Sequence, residues 1–456
     1  MVLWQKNYCP IRILFLIIVS SVLLCSCLND SEESDVEITN NCAITDMVLG
    51  TLKRTVTTKK SSGEDTTYVT TISGNLYPMH IDQYKGEIYN VDSLPLGTDI
   101  KKIVFSSVSS DGTVGYRLTS GNDTLYSLSD SLDFTNPQIF TCYAYSGKAK
   151  KTYTVRVNVR KVDPDRFVWN CVAENAEFAA LERLKLLRRH SDLFLFAEKE
   201  GNKSVFLSST NSAEAWKVQS LRGDVPDDVS QIVCYKEAFY ATKNGALVLS
   251  VDGILWSIAS SAHFFDFVIG CSSNLLFVKS PDGLLNTSDF LTWTFDELDS
   301  SADLLPNTDC SFVCTPMNFN TNFEYVLWAG RTADGQNVLW KNTLDITGVN
   351  RDKWSYYPFT EEVTYPLPEV KSPVMFNYDN CTLYLGCEND TLSLFYSSKD
   401  AGRTWKPEKD VYVHPYALRA DRVTALVDDE NYIWIVCSGS GQVWRGRINR
   451  LAVVNP

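Results

Sequence analysis

Histidine is scarce in this chain, with four among 456 residues. That leaves little material for a His-rich metal site. No zincin motif is present, and no cysteine pair has zinc-site spacing with a nearby histidine. A phosphate-binding Gly-rich loop and a Gly-x-Ser-x-Gly elbow are also missing. Positive charge is in deficit: 42 Lys and Arg stand against 55 Asp and Glu, a formal net charge of −13. Such a chain is not built to bind nucleic acid or anionic lipid through bulk electrostatics. A neutral glycan, a protein or a cation is easier to accommodate. The apolar run at 11–24 is too short and wrongly flanked for a comfortable membrane span.

What is present describes folded material. Hydrophobic residues make up 44% and charged residues 21%, values of a globular chain. The length exceeds one ordinary core, so two domains are expected. Aromatics at 12%, with abundant Thr, Ser and Val, favour strands, where such side chains pack on a pleated surface.

The first residues read as a targeting segment. Lys6 and Arg12 supply positive charge, the apolar run follows, and Leu24-Cys25-Ser26-Cys27 closes it. This is the layout of a secretory signal over residues 1–26. The same four residues resemble the lipobox of bacterial lipoproteins, which implies cleavage before Cys27 and a diacylglycerol on its thiol. A plain secretory signal is the alternative. Two or more acyl chains anchor stably, at ~0.8 kcal/mol per buried CH₂. Residues 27–37 are rich in Asp and Glu and free of Lys and Arg, as expected of a solvated tether. They resemble the acidic export tag of surface lipoproteins. The expected address is the outer membrane, with the lipid on Cys27 as the membrane partner. Of 13 cysteines, Cys9 and Cys25 leave with the signal and Cys27 is lipidated. Most of the others lie in apolar strand-like runs and read as buried free thiols. Cys310 with Cys314 and Cys381 with Cys387 are the pairs to check.

Residues 38–161 read as a small β domain of about seven strands. In 151–160, Tyr153, Val155, Val157 and Val159 alternate with polar residues, the period of a half-buried strand. Residues 138–145 alternate similarly, and Ser146-Gly147-Lys148 joins the two as a hairpin. Segments 66–72, 101–107 and 114–118 supply further strands. The stretch from Leu132 to Pro137 and the following hairpin resemble bacterial immunoglobulin-like modules, which implies a β-sandwich stalk. No Cys…Trp…Cys core signature is present. Residues 162–165, Val-Asp-Pro-Asp, read as the linker.

Residues 166–456 repeat. Each unit has three strands, a polar turn, then a tryptophan opening a fourth strand. Post-turn tryptophans are Trp216, Trp256, Trp293, Trp354 and Trp405. Their intervals fit the roughly 40–50 residues of a four-stranded blade, except the interval from Trp293 to Trp354, which needs loop insertions at 296–309 and 344–352. Six second strands are present but only five such tryptophans, and the last unit runs out of chain. Residues 166–172, with Trp169 in the matching place, read as its displaced fourth strand. The expected fold is therefore all-β: a sandwich followed by a six-bladed β-propeller, closed by pairing strand 166–172 with the last blade. Segment 176–189 could be helical or hold a strand at 183–187; the strand is favoured.

The turns resemble the Asp-box, or BNR repeat, of sialidase-like propellers. Ser398, Asp400, Gly402 and Trp405 make a full match. Ser209, Asn211 and Trp216 keep the spacing; Ser250, Asp252 and Trp256, and Asp289 with Trp293, are one residue short; the copy ending at Trp354 is degenerate. The expected role is structural, with Asp taking turn amides, Gly allowing positive φ and Trp filling the wedge between sheets. In that family the boxes lie away from the ligand face. The entrances of the innermost strands offer Arg183, Asp228, Asp266, Asp309 and Arg422 as ligand-face candidates. No sialidase-like arginine triad is evident. A retaining glycosidase could use two carboxylates ~5 Å apart, but solvated loop acids are the blander reading. Phe264, Phe265, Tyr356, Tyr357, Tyr365 and Tyr416 are aromatics in or near loops that could stack on sugars. The whole chain resembles two-domain surface lipoproteins of Gram-negative gut anaerobes, which implies an address and no reaction. The expected function is non-catalytic binding of a glycan or protein, without cofactor, catalytic residue or metal. The alternative is a glycoside hydrolase or lyase on the same scaffold.

Overall fold

A computed structural model describes residues 39–59, 65–348, 352–359, 363–415 and 418–452. The signal 1–26, Cys27, the tether and Tyr416 lie outside the described residues. The chain divides into two compact units, Met1–Val162 and Asp163–Pro456.

The first unit holds ten strands among its described residues. Six form one sheet in the order Met79–Asp82, Glu87–Asn90, Lys150–Arg156, Gln138–Ala144, Gly112–Arg117 and Asp123–Leu125. Ile44–Leu49 pairs with Phe105–Ser110, and Thr51–Lys59 with Asp65–Ser73. The alternation at 151–160 does what a half-buried strand requires: Tyr153 and Val155 are fully buried, packed with Ile44, Leu49, Ile88, Phe105 and Phe140. The hairpin 138–156 forms, with Tyr153 opposite Phe140. One expectation fails: residues 101–107 are not a single strand. Asp99 caps a 3-10 turn at Ile100–Lys102, and the strand begins only at Phe105.

The second unit holds six mainly antiparallel sheets among its described residues. In chain order their innermost strands are Arg183–Arg189 (sheet I), Val233–Tyr235 (II), Phe267–Cys271 (III), Thr308–Pro316 (IV), Lys371–Tyr378 (V) and Ala420–Val427 (VI). Each inner strand touches the next, and that of sheet VI returns to that of sheet I. Segment 176–189 splits between both readings, with one helical turn at Ala176–Ala179 and then the inner strand of sheet I. The first strand of the unit, Phe167–Glu174, pairs antiparallel with Gln442–Ile448, placing Trp169 opposite Gly446. It thus supplies the outermost strand of sheet VI. A Cβ at residue 446 would lie 2.2 Å from the Trp169 indole, so glycine is required where the ring lies flat on the neighbouring strand.

Six hydrophobic clusters fill the six spaces between neighbouring sheets. Each holds one of the repeat tryptophans. Trp256 packs between sheets I and II, Trp293 between II and III, Trp354 between III and IV, and Trp405 between IV and V. Trp216 lies between VI and I, and Trp169 between V and VI. Every tryptophan leans from its own sheet onto the preceding one. The long interval before Trp354 is taken up by the segment between Thr294–Phe295 and Thr308–Pro316, which carries a 3-10 turn at Ala302–Leu304.

Candidate functional site

The polar turns hold the outer strands in place. Asp252 Oδ1 accepts from the amides of Ile254 and Leu255 at 2.8 and 2.9 Å, and Ser250 Oγ donates to it at 3.0 Å. Asp289 Oδ1 accepts from Leu291 and Thr292 at 2.9 and 2.8 Å. Asp400 accepts from the Thr404 amide at 3.0 Å, while the Gly402 amide donates to Ser398 Oγ at 2.9 Å. Burial alone would raise the Asp252 and Asp400 carboxyls. These donors outweigh it and hold both below the ordinary carboxylate range. Gly402 has φ +82 and faces Leu339, whereas the third turn puts Phe290 at φ 64 in the matching place. At the first turn, the Ser209 and Ser212 hydroxyls bond each other at 3.1 Å and Trp216 Nε1 donates to Ala213 O at 3.0 Å. Asn211 itself is exposed. These residues stabilise the sheets and offer no convergent site.

A convergent site does form at the entrances of the inner strands. A cavity of about 380 Å³ is lined there by Arg183, Asp228, Asp309 and Arg422, together with Lys185 and Ser372. Asp266, the fifth candidate, does not line it. Its carboxylate takes Lys279 Nζ at 2.6 Å, a pair formed within sheet III, so that inner-strand entrance is spent on its own sheet.

Bulges aim these side chains. In sheet IV, one extra residue lies between Thr308 and Ser311, opposite Gly330. In sheet V, one lies between Lys371 and Val374, opposite Gly386. Asp309 and Ser372 take φ 47 and 52 as a result, a conformation that costs free energy outside glycine. A Cβ at Gly330 would sit 2.9 Å from Thr308 O, and one at Gly386 2.7 Å from Lys371 O. The glycines make room for the bulged backbone. A third register shift lies between Ala420 and Val423, beside Arg422. Ser372 ties the three together: its amide donates to Asp309 Oδ1 at 3.3 Å, and its hydroxyl donates to Val423 O at 3.0 Å.

The charges at this mouth are partly spent. Arg183 meets Glu198 at 3.3 Å and Asp228 at 3.9 Å. Asp228 Oδ1 accepts from the Ser230 amide and hydroxyl at 2.8 and 2.6 Å. Asp309 faces Arg331 at 3.6 Å. Arg422 makes no hydrogen bond or ion pair among the described residues. Below the mouth, a central channel of about 530 Å³ is lined by all six inner strands, including Lys185, Cys234, Cys271, Cys310 and Cys314. These cysteines are free thiols, as are Cys381 and Cys387. Burial pushes Cys271 and Cys310 up to about 12, so they stay protonated and unreactive.

Sequence reasoning passed over Lys185 and Ser372. The signal for Lys185 was its place as the one charge inside Leu184-Lys185-Leu186-Leu187, with Leu184 and Leu186 buried on the other face. Among the described residues, none of the aromatics proposed for sugar stacking lines the mouth. Phe265 is buried in a core and Phe264 is exposed over Gly245. Tyr356 and Tyr357 belong to the outer strand Ser355–Tyr357 of sheet IV and pack against intersheet cores. Tyr365 is exposed, with Lys406 over its ring. Among the described residues, no three His, Cys, Asp or Glu side chains are placed to hold a metal ion.

Comparison with known proteins adds a family and little chemistry. Residues 163–456 match the family model described as the DUF6242 beta propeller domain. Residues 47–157 match the DUF6242 N-terminal domain, described as a domain of unknown function. No curated protein matches the chain. Among solved structures, Trypanosoma rangeli sialidase is 12% identical, with 61% of this chain and 57% of that one covered and a TM-score of 0.35. This chain thus spans little more than half of that sialidase. The catalytic domain of Coprinopsis cinerea GH62 alpha-L-arabinofuranosidase is 15% identical, with coverage of 53% and 96% and a TM-score of 0.32. A quinonprotein alcohol dehydrogenase-like protein from Bacteroides thetaiotaomicron is 9% identical, with coverage of 81% and 98% and a TM-score of 0.33. Likenesses this distant carry no argument about activity.

Proposed function

We propose, since this chain belongs to the DUF6242 beta propeller family, that its second unit is a six-bladed propeller whose polar mouth binds a glycan. On this reading the six sheets are blades, the polar turns are degenerate Asp-boxes, and Phe167–Glu174 closes the ring. The first unit serves as an immunoglobulin-like spacer, and Cys27 carries the lipid that holds the protein at the outer membrane.

The observation that supports glycan binding most is the convergence of Arg183, Asp228, Asp309 and Arg422 on one cavity. Sugar hydroxyls both donate and accept, so a ring of mixed charges suits them better than it suits an apolar or singly charged ligand. Recognition would rest on hydrogen bonds, because no aromatic side chain among the described residues lines the mouth. The non-catalytic reading is supported by the engagement of both acids: Asp228 caps the turn at Val229–Gln231 and Asp309 holds the Ser372 amide.

A glycan array probed with the chain from Ser31 onward tests this. Wild-type protein should retain a defined set of glycans, and Asp309→Asn combined with Arg422→Ala should lose them. Asparagine tolerates the left-handed backbone at 309, so the fold is kept. An array with no wild-type signal would overturn the reading, and new reducing ends released from a bound glycan would replace it with a hydrolase.

A further inference from the structure

We propose that Lys185 is a reactive amine that captures a small aldehyde or ketone in the central channel as an imine. The reading does not depend on glycan binding. Lys185 lines both the mouth cavity and the channel beneath it. It is half-buried, deep among the inner strands but still in contact with the water of the mouth. Among the described residues its side chain makes no hydrogen bond and no ion pair.

A contrast inside the same unit shows why this matters. Lys279 is similarly enclosed, with its side chain 14% exposed, but Asp266 meets it at 2.6 Å. Lys185 has no such partner. A desolvated ammonium without a counter-anion is costly, and losing a proton removes the cost. Burial accordingly lowers the pKa of this amine, against the opposing influence of the Asp228 carboxylate; the nearby Cys310 and Cys271 thiols are uncharged at neutral pH. A neutral lysine amine is a nucleophile and a Schiff-base former. The neighbouring thiols do not compete, since burial keeps them protonated.

The step balances without an oxidant or reductant. The Nζ lone pair attacks the carbonyl carbon, a C–N bond forms, and the C=O π pair moves to oxygen. A proton passes from nitrogen to that oxygen through water in the open mouth, giving a carbinolamine. The nitrogen lone pair then expels the oxygen, which takes a proton from water in the mouth and leaves as water, and the resulting iminium returns its N–H proton to that water, giving the imine. One carbonyl and one amine become one imine and one water.

The test uses the full chain, glycolaldehyde as probe and cyanoborohydride to fix the imine at neutral pH, read by peptide mass mapping. Lys185 should be labelled several-fold faster than exposed Lys217 and Lys371, because a lowered pKa leaves more of its amine neutral at the labelling pH. Lys185→Met keeps the approximate length, removes the amine without adding a charge and should abolish the fast adduct alone. Labelling of wild-type Lys185 at the rate of the surface lysines, or only after unfolding, overturns the proposal whether or not the variant folds.

Discussion

Replacing Trp169 with alanine measures how much the displaced strand contributes. The indole is half-buried, stacks on Phe167 with centroids 5.0 Å apart and lies 6.4 Å from Phe395. Its Nε1 donates to Val413 O at 2.6 Å. Core Trp→Ala changes cost about 3–5 kcal/mol, and partial exposure reduces this to roughly 2–3. The lost hydrogen bond adds about 1 kcal/mol. The expected total is therefore ~3–4 kcal/mol on the second unit, or roughly 6–16 °C in its Tm. Trp169→Phe should cost less, because it keeps the stacking. Val168, 44% exposed, alternates to the other face, so Val168→Ala should stay within about 0.5 kcal/mol. Calorimetry resolves the two units if they melt separately, and circular dichroism follows the loss of sheet. Equal Tm values for Trp169→Ala and Val168→Ala would refute the assignment of this strand to the last sheet's stability.

Other perturbations reach different parts of the fold. Gly330→Ala would place a Cβ 2.8 Å from Pro306 and 2.9 Å from Thr308 O; denaturant titration should show a loss of about 1–3 kcal/mol, with weaker ligand binding as Asp309 shifts. Acid should destabilise the second unit through Asp252 and Asp400, whose folded pKa values are depressed. Their stabilisation is complete above the unfolded carboxylate pKa near ~4 and is lost as pH falls through the lower folded values, because the unfolded chain binds more protons there. Asp400→Asn should flatten that acid limb in a pH series of melts. A thiol reagent at pH 8 should label exposed Cys171 first. Cys271 and Cys310, pushed up to about 12, hold only ~10⁻⁴ thiolate and should react only on unfolding.

The architecture was readable because one period carried it. Five tryptophans follow polar turns, of which the one from Ser398 to Trp405 keeps Ser, Asp and Gly in full, and the missing sixth copy pointed to Trp169 at the front of the unit. Entrance residues were readable as residue types at strand starts, which found Arg183, Asp228, Asp309 and Arg422. Asp266 looked the same in sequence, but its pairing with Lys279 depends on the facing strand. Bulges escaped notice because they depend on a two-strand register, with Asp309 and Ser372 strained on one strand and Gly330 and Gly386 on the other. Lys185 was missed because one lysine in a leucine-rich strand reads as a solvated edge; only the gathering of six inner strands on one cavity makes it a channel residue. The split of 101–107 into a turn and a strand follows from the Asp99 cap, a local preference that overrode the apolar pattern.

Titration of an array-selected glycan against wild type, Asp309→Asn and Arg422→Ala tests the mouth as a ligand site most directly. Each variant removes a hydrogen-bonding charge and should raise Kd by about 10-fold or more, as expected for losing roughly 1.5–3 kcal/mol, while Tm stays within about 2 °C. Unchanged affinity in both variants, with the fold intact, would place the ligand elsewhere and contradict the proposal.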